Sequence, residues 1–128
     1  MATKGKKREV LFTIESVEHF QEKLEPENNQ KLLIVDTHLA WCGRCDTMEQ
    51  NYRNLFMRFD EDFCKMEFFS CVQENIPEDI LARMTHGPLT CKPRFLLFFN
   101  GEKKDEITGA NFTMLEAAVQ KHIPQFDD

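Results

Sequence analysis

The sequence predicts an α/β domain: a mixed central β-sheet with helices on both faces. Three observations predict it. Lys31-Leu-Leu-Ile-Val-Asp36 is an apolar, branched run that reads as a buried strand. Arg94-Phe-Leu-Leu-Phe-Phe99 is a second such run, and Asn100-Gly101 directly after it is a hairpin turn signal. The stretches between the strands carry apolar residues at helical spacing. Early strands that alternate with helices favour parallel crossovers, and the late hairpin adds antiparallel pairing.

Each element follows from local chemistry. Glu9 to Ile14 is a first strand candidate. Ser16 can cap a helix carrying Val17, Phe20 and Leu24 on one face. Glu25-Pro-Glu-Asn-Asn-Gln30 breaks that helix and reads as a loop before the strand at 31–37. A helix from about Cys42 to Phe59 places Met48, Tyr52, Leu55, Phe56 and Phe59 on one stripe. Asp60-Glu-Asp62 ends it in a charged turn, and Lys65 to Val72 is a third strand. Pro77 suits the first turn of a short helix with Ile80, Leu81 and Met84. A loop with Gly87 and Pro88 leads to the strand at 94–99, and Lys104 to Thr108 returns as its hairpin partner. Asn111 or Thr113 caps a last helix with Leu115, Ala118, Val119 and His122 on one stripe.

The organisation is one domain at 9–124, a basic flexible tail at 1–8 and a short acidic tail at 125–128. Hydrophobic residues make up 41% and charged residues 30%, ordinary for a soluble globular protein, and several of the twelve phenylalanines belong in the core. A formal charge of −6 argues against nonspecific nucleic-acid binding, which needs a basic face. Met1 to Arg8 is basic but lacks the apolar stretch of a secretory signal, and no apolar run reaches membrane-spanning length. No nucleic-acid or membrane partner is therefore expected, and a reducing, cytoplasmic setting is. Lys4 to Arg8 reads as a solvated tail before it reads as a nuclear signal or an acidic-surface ligand. No ATP-binding motif is present, so the chain is expected to have no ATPase activity of its own.

The chemistry concentrates in Trp41-Cys42-Gly43-Arg44-Cys45, where a buried strand gives way to a helix. Two cysteines at this spacing can close a disulfide, chelate zinc or do neither. A structural zinc site needs four ligands. Cys64, Cys71 and Cys91 form no second pair, and His19, His38, His86 and His122 show no ligand spacing, so no metal and no cofactor are expected. A helix N-terminus stabilises a thiolate, which favours redox chemistry. Cys42, at the helix start, is the expected nucleophile, and Cys45, one turn on, the resolving thiol. Gly43 permits close approach of a partner's backbone, and Arg44 adds a positive charge that favours the Cys42 thiolate. Asp36 precedes Cys42 in the apolar strand. It is either a buried carboxylate able to exchange a proton with Cys45 or a strand-end residue facing solvent. Lys92-Pro93 opens the strongest strand, where proline is tolerated and a cis bond would free the preceding backbone to pair with a peptide. A trans bond fits the sequence equally well. Cys64 and Cys71 read as buried small apolar residues.

Taken together, Val35-Asp36, Ala40-Trp41-Cys42-Gly43-x-Cys45, Pro93-x-x-Leu96-Leu97-Phe98-x-Asn100-Gly101-Glu102 and Gly109 resemble the thioredoxin family in kind and order, over roughly residues 9–124. The resemblance implies a thioredoxin fold and protein-disulfide oxidoreductase chemistry. In that chemistry Cys42 attacks, Cys45 resolves, Asp36 is a buried proton acceptor, Pro93 is cis, and Trp41, Gly43, Arg44, Lys92 and Pro93 form the partner-facing rim. Cys91, two residues from Pro93, is a candidate extra redox thiol, with a packed, inert cysteine the plainer reading. Several positions depart from the family pattern. Arg44 replaces the usual proline, His38 a usual tryptophan, and Lys92 an apolar residue. No lysine of 65–72 matches the family's central-strand lysine, and the stretch from Cys42 to Pro93 is long. These changes alter the surface that meets a client or a thioredoxin reductase.

Lys7-Arg8-Glu9-Val10, Cys91-x-Pro93 and Gly109-Ala110-Asn111 are similar to the thioredoxin-like light chains of axonemal outer-arm dynein. They also resemble the thioredoxin domains of ciliary proteins fused to nucleoside diphosphate kinase modules, for which 128 residues leave no room. That similarity implies a cilium or flagellum axoneme location and binding to a dynein heavy chain and neighbouring outer-arm subunits. The alternatives are a free cytosolic thioredoxin and a purely structural subunit that keeps the motif.

Overall fold

The computed structural model describes residues 9–40, 49–85, 87–90, 92–109 and 111–124. Five strands form one sheet in the order β1-β3-β2-β4-β5: β1 Leu11–Thr13, β2 Leu32–His38, β3 Met66–Val72, β4 Arg94–Phe99 and β5 Glu102–Thr108. β3 runs parallel to both β1 and β2, whereas β4 pairs antiparallel with β2 and with β5. The mixed sheet read from the sequence is therefore present. β1 is shorter than the expected Glu9–Ile14, because beyond Thr13 only the Ile14 amide still reaches β3, at the Ser70 carbonyl. β5 starts earlier than expected, at Glu102, because the tight Asn100-Gly101 turn brings its charged first residues straight into register with Phe98 and Phe99.

Alternation along the strands divides the core in two. Leu32, Ile34, Phe68, Phe95 and Leu97 face α2 (Glu49–Phe59) and α4 (Phe112–His122), which contribute Tyr52, Leu55, Phe56, Leu115 and Val119. Leu33, Val35, Phe69, Leu96 and Phe98 face α1 (Val17–Leu24) and α3 (Glu78–Ala82), where Phe20 is fully buried. All seven residues of β2 are buried, as a central strand covered on both faces requires.

Caps and turns match the local signals. The Ser16 side chain accepts the His19 amide at the start of α1, and Asn111 accepts the Met114 amide at the start of α4. Asn100 and Gly101 both have positive φ, 55° and 83°, the requirement of a two-residue hairpin turn. Two buried polar residues fasten loops at this end of the sheet. Asn29 accepts the Gly101 amide at 2.7 Å, and its own carbonyl accepts the Asn100 amide. Asp60, read from the sequence as the start of a charged turn, is buried and accepts the amides of Cys64, Lys65 and Met66 at 2.9, 2.8 and 3.0 Å. Among the described residues, no helix is long and apolar enough to cross a membrane.

Candidate functional site

The candidate site lies where β2 and β3 end, β4 begins and β5 ends. The register pairs Thr37 with Arg94, so the segment leaving β2 after His38 and the segment entering β4 through Lys92-Pro93 meet at one edge. Residues outside the carboxyl ends of parallel strands are where α/β folds gather ligands. A side chain reinforces the junction: Thr37 Oγ1 donates to the Arg94 carbonyl at 2.7 Å, with Thr37 wholly buried.

Asp36 is the buried carboxylate that was one of two readings of the sequence. It is 2% exposed, and the Tyr52 hydroxyl donates to its Oδ2 at 3.0 Å. α2 places Tyr52 over β2 and β3, its ring stacked on Phe68 at 4.5 Å between centroids. Ser70 is the register partner of Asp36 on β3 and lies on the same face. His38 also points to this face. Its Nδ1 lies 3.3 Å from the Leu39 carbonyl, which can only accept, so in the neutral ring the proton sits on Nδ1. Nε2 is then left to accept from the Ser70 hydroxyl at 3.0 Å. Where the family commonly carries a tryptophan, this chain therefore has a buried imidazole hydrogen-bonded across the sheet.

On the opposite face a second polar cluster was not anticipated from the sequence. Arg94, 2% exposed, donates through Nη1 to Glu106 Oε2 at 3.1 Å. Lys103 Nζ donates to Glu106 Oε1 at 2.7 Å, and the Thr85 amide donates to the same oxygen at 2.9 Å. An arginine at the head of an apolar strand reads as a solvated end. Only the antiparallel β4–β5 pairing, which brings Glu106 within reach, reveals it as buried.

The rim residues divide. Lys92 is exposed, its amide donating to Thr90 Oγ1 at 3.2 Å. Pro93 is half-buried, and its carbonyl accepts the Gly109 amide at 2.7 Å. The cis bond implied for Pro93 is not found. No peptide bond among the described residues, which include Lys92 and Pro93, is cis, in keeping with the trans preference of X-Pro bonds. Trp41, Cys42, Gly43, Arg44, Cys45 and Cys91 lie outside the described residues.

The other two cysteines behave differently from each other. Cys71 is buried as expected, and burial pushes its thiol up to about 12, which makes it inert. Cys64 is exposed rather than buried, because the Asp60-centred turn fixes its backbone and leaves its side chain outside the core. Among the described residues, no group of three or more His, Cys, Asp or Glu side chains could hold a metal ion.

This is an α/β fold whose central strand carries a buried carboxylate and leads, in sequence, into Cys-Gly-Arg-Cys. The thioredoxin family profile matches residues 11–121. Thioredoxin of Equus caballus is 32% identical over 108 residues, covering 84% of this chain and 93% of its own. Thioredoxin of Oryctolagus cuniculus is 32% identical over 109 residues, covering 84% and 94%. Among solved structures, a thioredoxin from Nicotiana alata superposes with a TM-score of 0.63 at 21% identity, covering 92% of this chain and 96% of its own. The chain belongs to the thioredoxin family.

Proposed function

We propose that this protein carries out thiol–disulfide exchange through Cys42 and Cys45. The Cys42 thiolate attacks one sulfur of a partner disulfide, forming a mixed disulfide and releasing the partner's other sulfur as a thiolate. Cys45 gives its proton to Asp36 and attacks Cys42 Sγ. The partner's second thiolate leaves, and the two electrons of the dithiol have passed to the partner. An external dithiol reductant, such as a thioredoxin reductase, returns the Cys42–Cys45 disulfide to the dithiol. The observation that carries this reading is Asp36: a carboxylate 2% exposed, hydrogen-bonded by Tyr52, in the strand that runs into the motif. A burial this complete is costly for a carboxylate with no task there.

The setting we propose is a thioredoxin-like light chain of ciliary or flagellar outer-arm dynein. There the dithiol links redox state to the motor through a dynein heavy chain. The short motifs around Lys7–Val10, Cys91–Pro93 and Gly109–Asn111 support it, together with the altered rim at Arg44, His38 and Lys92. A second reading, a free thioredoxin reducing many clients, is favoured by the likeness to Equus caballus thioredoxin over 93% of its length. Trapping separates them. Cys45→Ser protein is immobilised and exposed to ciliary extract, and the fraction eluted by dithiothreitol but not by high salt is identified. A dynein heavy chain captured only when Cys42 is present supports the motor reading. A broad set of cytosolic clients supports the free reductase. Dynein retained without Cys42 makes the fold a binding block and refutes the redox link.

A further inference from the structure

We infer that the buried Arg94–Glu106 pair is a clamp that fixes the partner-facing loop between α3 and Pro93, and that Arg94 and Glu106 are positioning residues for partner recognition. Among the described residues the guanidinium reaches three acceptors at once. Besides Glu106 it holds the carbonyls of two successive loop residues, Gly87 at 2.9 Å and Pro88 at 3.3 Å. Glu106 uses both oxygens. Oε2 takes Arg94, while Oε1 takes Lys103, the Thr85 amide and the Thr85 hydroxyl at 3.3 Å. Lys103 also donates to the Arg83 carbonyl at 3.2 Å. Four points of one loop, at residues 83, 85, 87 and 88, are thus tied to two side chains of β5 and one of β4.

These bonds do little to satisfy buried loop groups. Arg83, Thr85, Gly87 and Pro88 are all exposed, and water could serve their backbone groups. What the clamp supplies is a fixed location for the loop. A buried ion pair is seldom a net source of stability against apolar side chains of similar volume, because desolvation offsets the attraction. Its retention here has a geometric rationale. The clamped loop runs directly into Lys92-Pro93, and Gly87, Pro88 and Leu89 line a groove of about 320 Å³ with Gln73, Leu81 and Met84. The clamp also acts through backbone, since the Arg94 carbonyl is the acceptor for Thr37 at the end of β2. Arginine is required rather than any cation: its planar fork can hold a carboxylate and two carbonyls, whereas a lysine ammonium is a point charge.

The partner half of this inference rests on the thiol–disulfide reading above, and the test separates the two. The double variant Arg94→Met/Glu106→Leu keeps the site filled and apolar, and Arg94→Lys keeps the charge without the fork. Hydrogen exchange by mass spectrometry is read on peptides spanning 83–92 and on core strands, alongside urea unfolding and the reduction of insulin by dithiothreitol. For both variants, exchange in 83–92 is expected to quicken roughly tenfold while β2 and β4 amides keep their wild-type protection. The double variant is expected to unfold at or above the wild-type urea midpoint. KM for insulin is expected to rise about fivefold with kcat within twofold, the signature of lost partner binding rather than lost chemistry. Unchanged exchange in 83–92, or quickening spread evenly over the molecule, overturns the clamp. A loosened loop with unchanged KM overturns its role in recognition. Wild-type protein without Cys42-dependent insulin reduction refutes the functional reading instead, and the exchange data alone then decide the clamp.

Discussion

Replacing Tyr52 by Phe removes one oxygen and nothing else. The Tyr52 ring is fully buried, stacked on Phe68 at 4.5 Å and edge-on to Phe95 at 6.4 Å, and phenylalanine keeps each of these contacts. The loss is therefore the hydroxyl's bond to Asp36 Oδ2, in a site where the carboxylate is 2% exposed. A hydrogen bond to a charged group contributes about 1.5–3 kcal/mol. At 3.0 Å this one is long for a hydroxyl on a carboxylate, so the lower half of that range applies. We expect Tyr52→Phe to cost about 1.5–2 kcal/mol in urea unfolding at neutral pH, with the midpoint shifted and the slope unchanged. Asp36→Leu strands the Tyr52 hydroxyl, whereas the double variant removes both polar partners, so its cost falls short of the sum of the singles. The cycle should return a coupling of at least about 1 kcal/mol. A coupling below about 0.5 kcal/mol would refute the reasoning, for Tyr52 would then not be holding the Asp36 carboxylate.

Three further outcomes test the core and the turn. Burial pushes the Cys71 thiol from 9.0 up to about 12, so between these values the folded chain keeps a proton that the unfolded chain has released. The resulting stability is complete below pH 9 and is lost as pH rises toward 12, on the order of 4 kcal/mol in all, so Cys71→Ala should flatten the decline in urea midpoint above pH 9. In the same native protein iodoacetamide should label exposed Cys64 and spare Cys71, as peptide mapping would show, and labelling of Cys71 without denaturant would contradict its burial. Gly101→Ala should cost about 2–3 kcal/mol, because φ is 83° and the added methyl would sit 2.9 Å from the Leu24 carbonyl. A loss under about 0.5 kcal/mol in urea unfolding would mean the hairpin turn is not held against the end of α1.

The sequence reveals this fold wherever a signal is local. β2 and β4 are apolar runs, Ser16 and Asn111 are caps, and Asn100-Gly101 is a turn that dictates its own dihedrals. Asp36 stands out because a carboxylate inside an apolar strand is anomalous in one dimension. Features that depend on a partner distant in sequence are not legible in this way. Arg94 and Glu106 each look like a solvated charge until β4 and β5 pair. Asp60 looks like a charged turn until its oxygens are seen collecting three amides. Tyr52 reads as one more apolar residue of the α2 stripe. A signal was present there, because a buried tyrosine hydroxyl needs an acceptor and Asp36 was the buried candidate. Cys64 misleads for a statistical reason: cysteine is usually buried, and the backbone of this turn excludes it.

The distribution of buried polar groups sets one end of the sheet apart independently of any motif. Among the described residues, eight polar or charged ones are buried: Asn29, Asp36, Thr37, His38, Asp60, Ser70, Arg94 and Glu106. Asn29 and Asp60 lie where β2 and β3 begin, and the bonds described for them go to nearby backbone or to the hairpin turn, as loop fasteners require. The remaining six lie toward the opposite end, where the Cys-Gly-Arg-Cys segment leaves β2 and Pro93 leads into β4. They bond across elements, Asp36 to Tyr52 of α2 and His38 to Ser70 of β3 on one face, Arg94 to Glu106 of β5 on the other. Thr37 and the Arg94 carbonyl join the strands between them. Stability alone would favour apolar side chains at most of these positions, as it does along the rest of β2 and β4. Polar groups that break the apolar pattern on both faces, at one end only, are where a fold departs from its own rules for the sake of function. The two faces carry different chemistry. The α2 face holds a buried carboxylate and an imidazole, the groups the proposed exchange would use for protons, and the α3 face holds the ion pair proposed to fix the loop between α3 and Pro93.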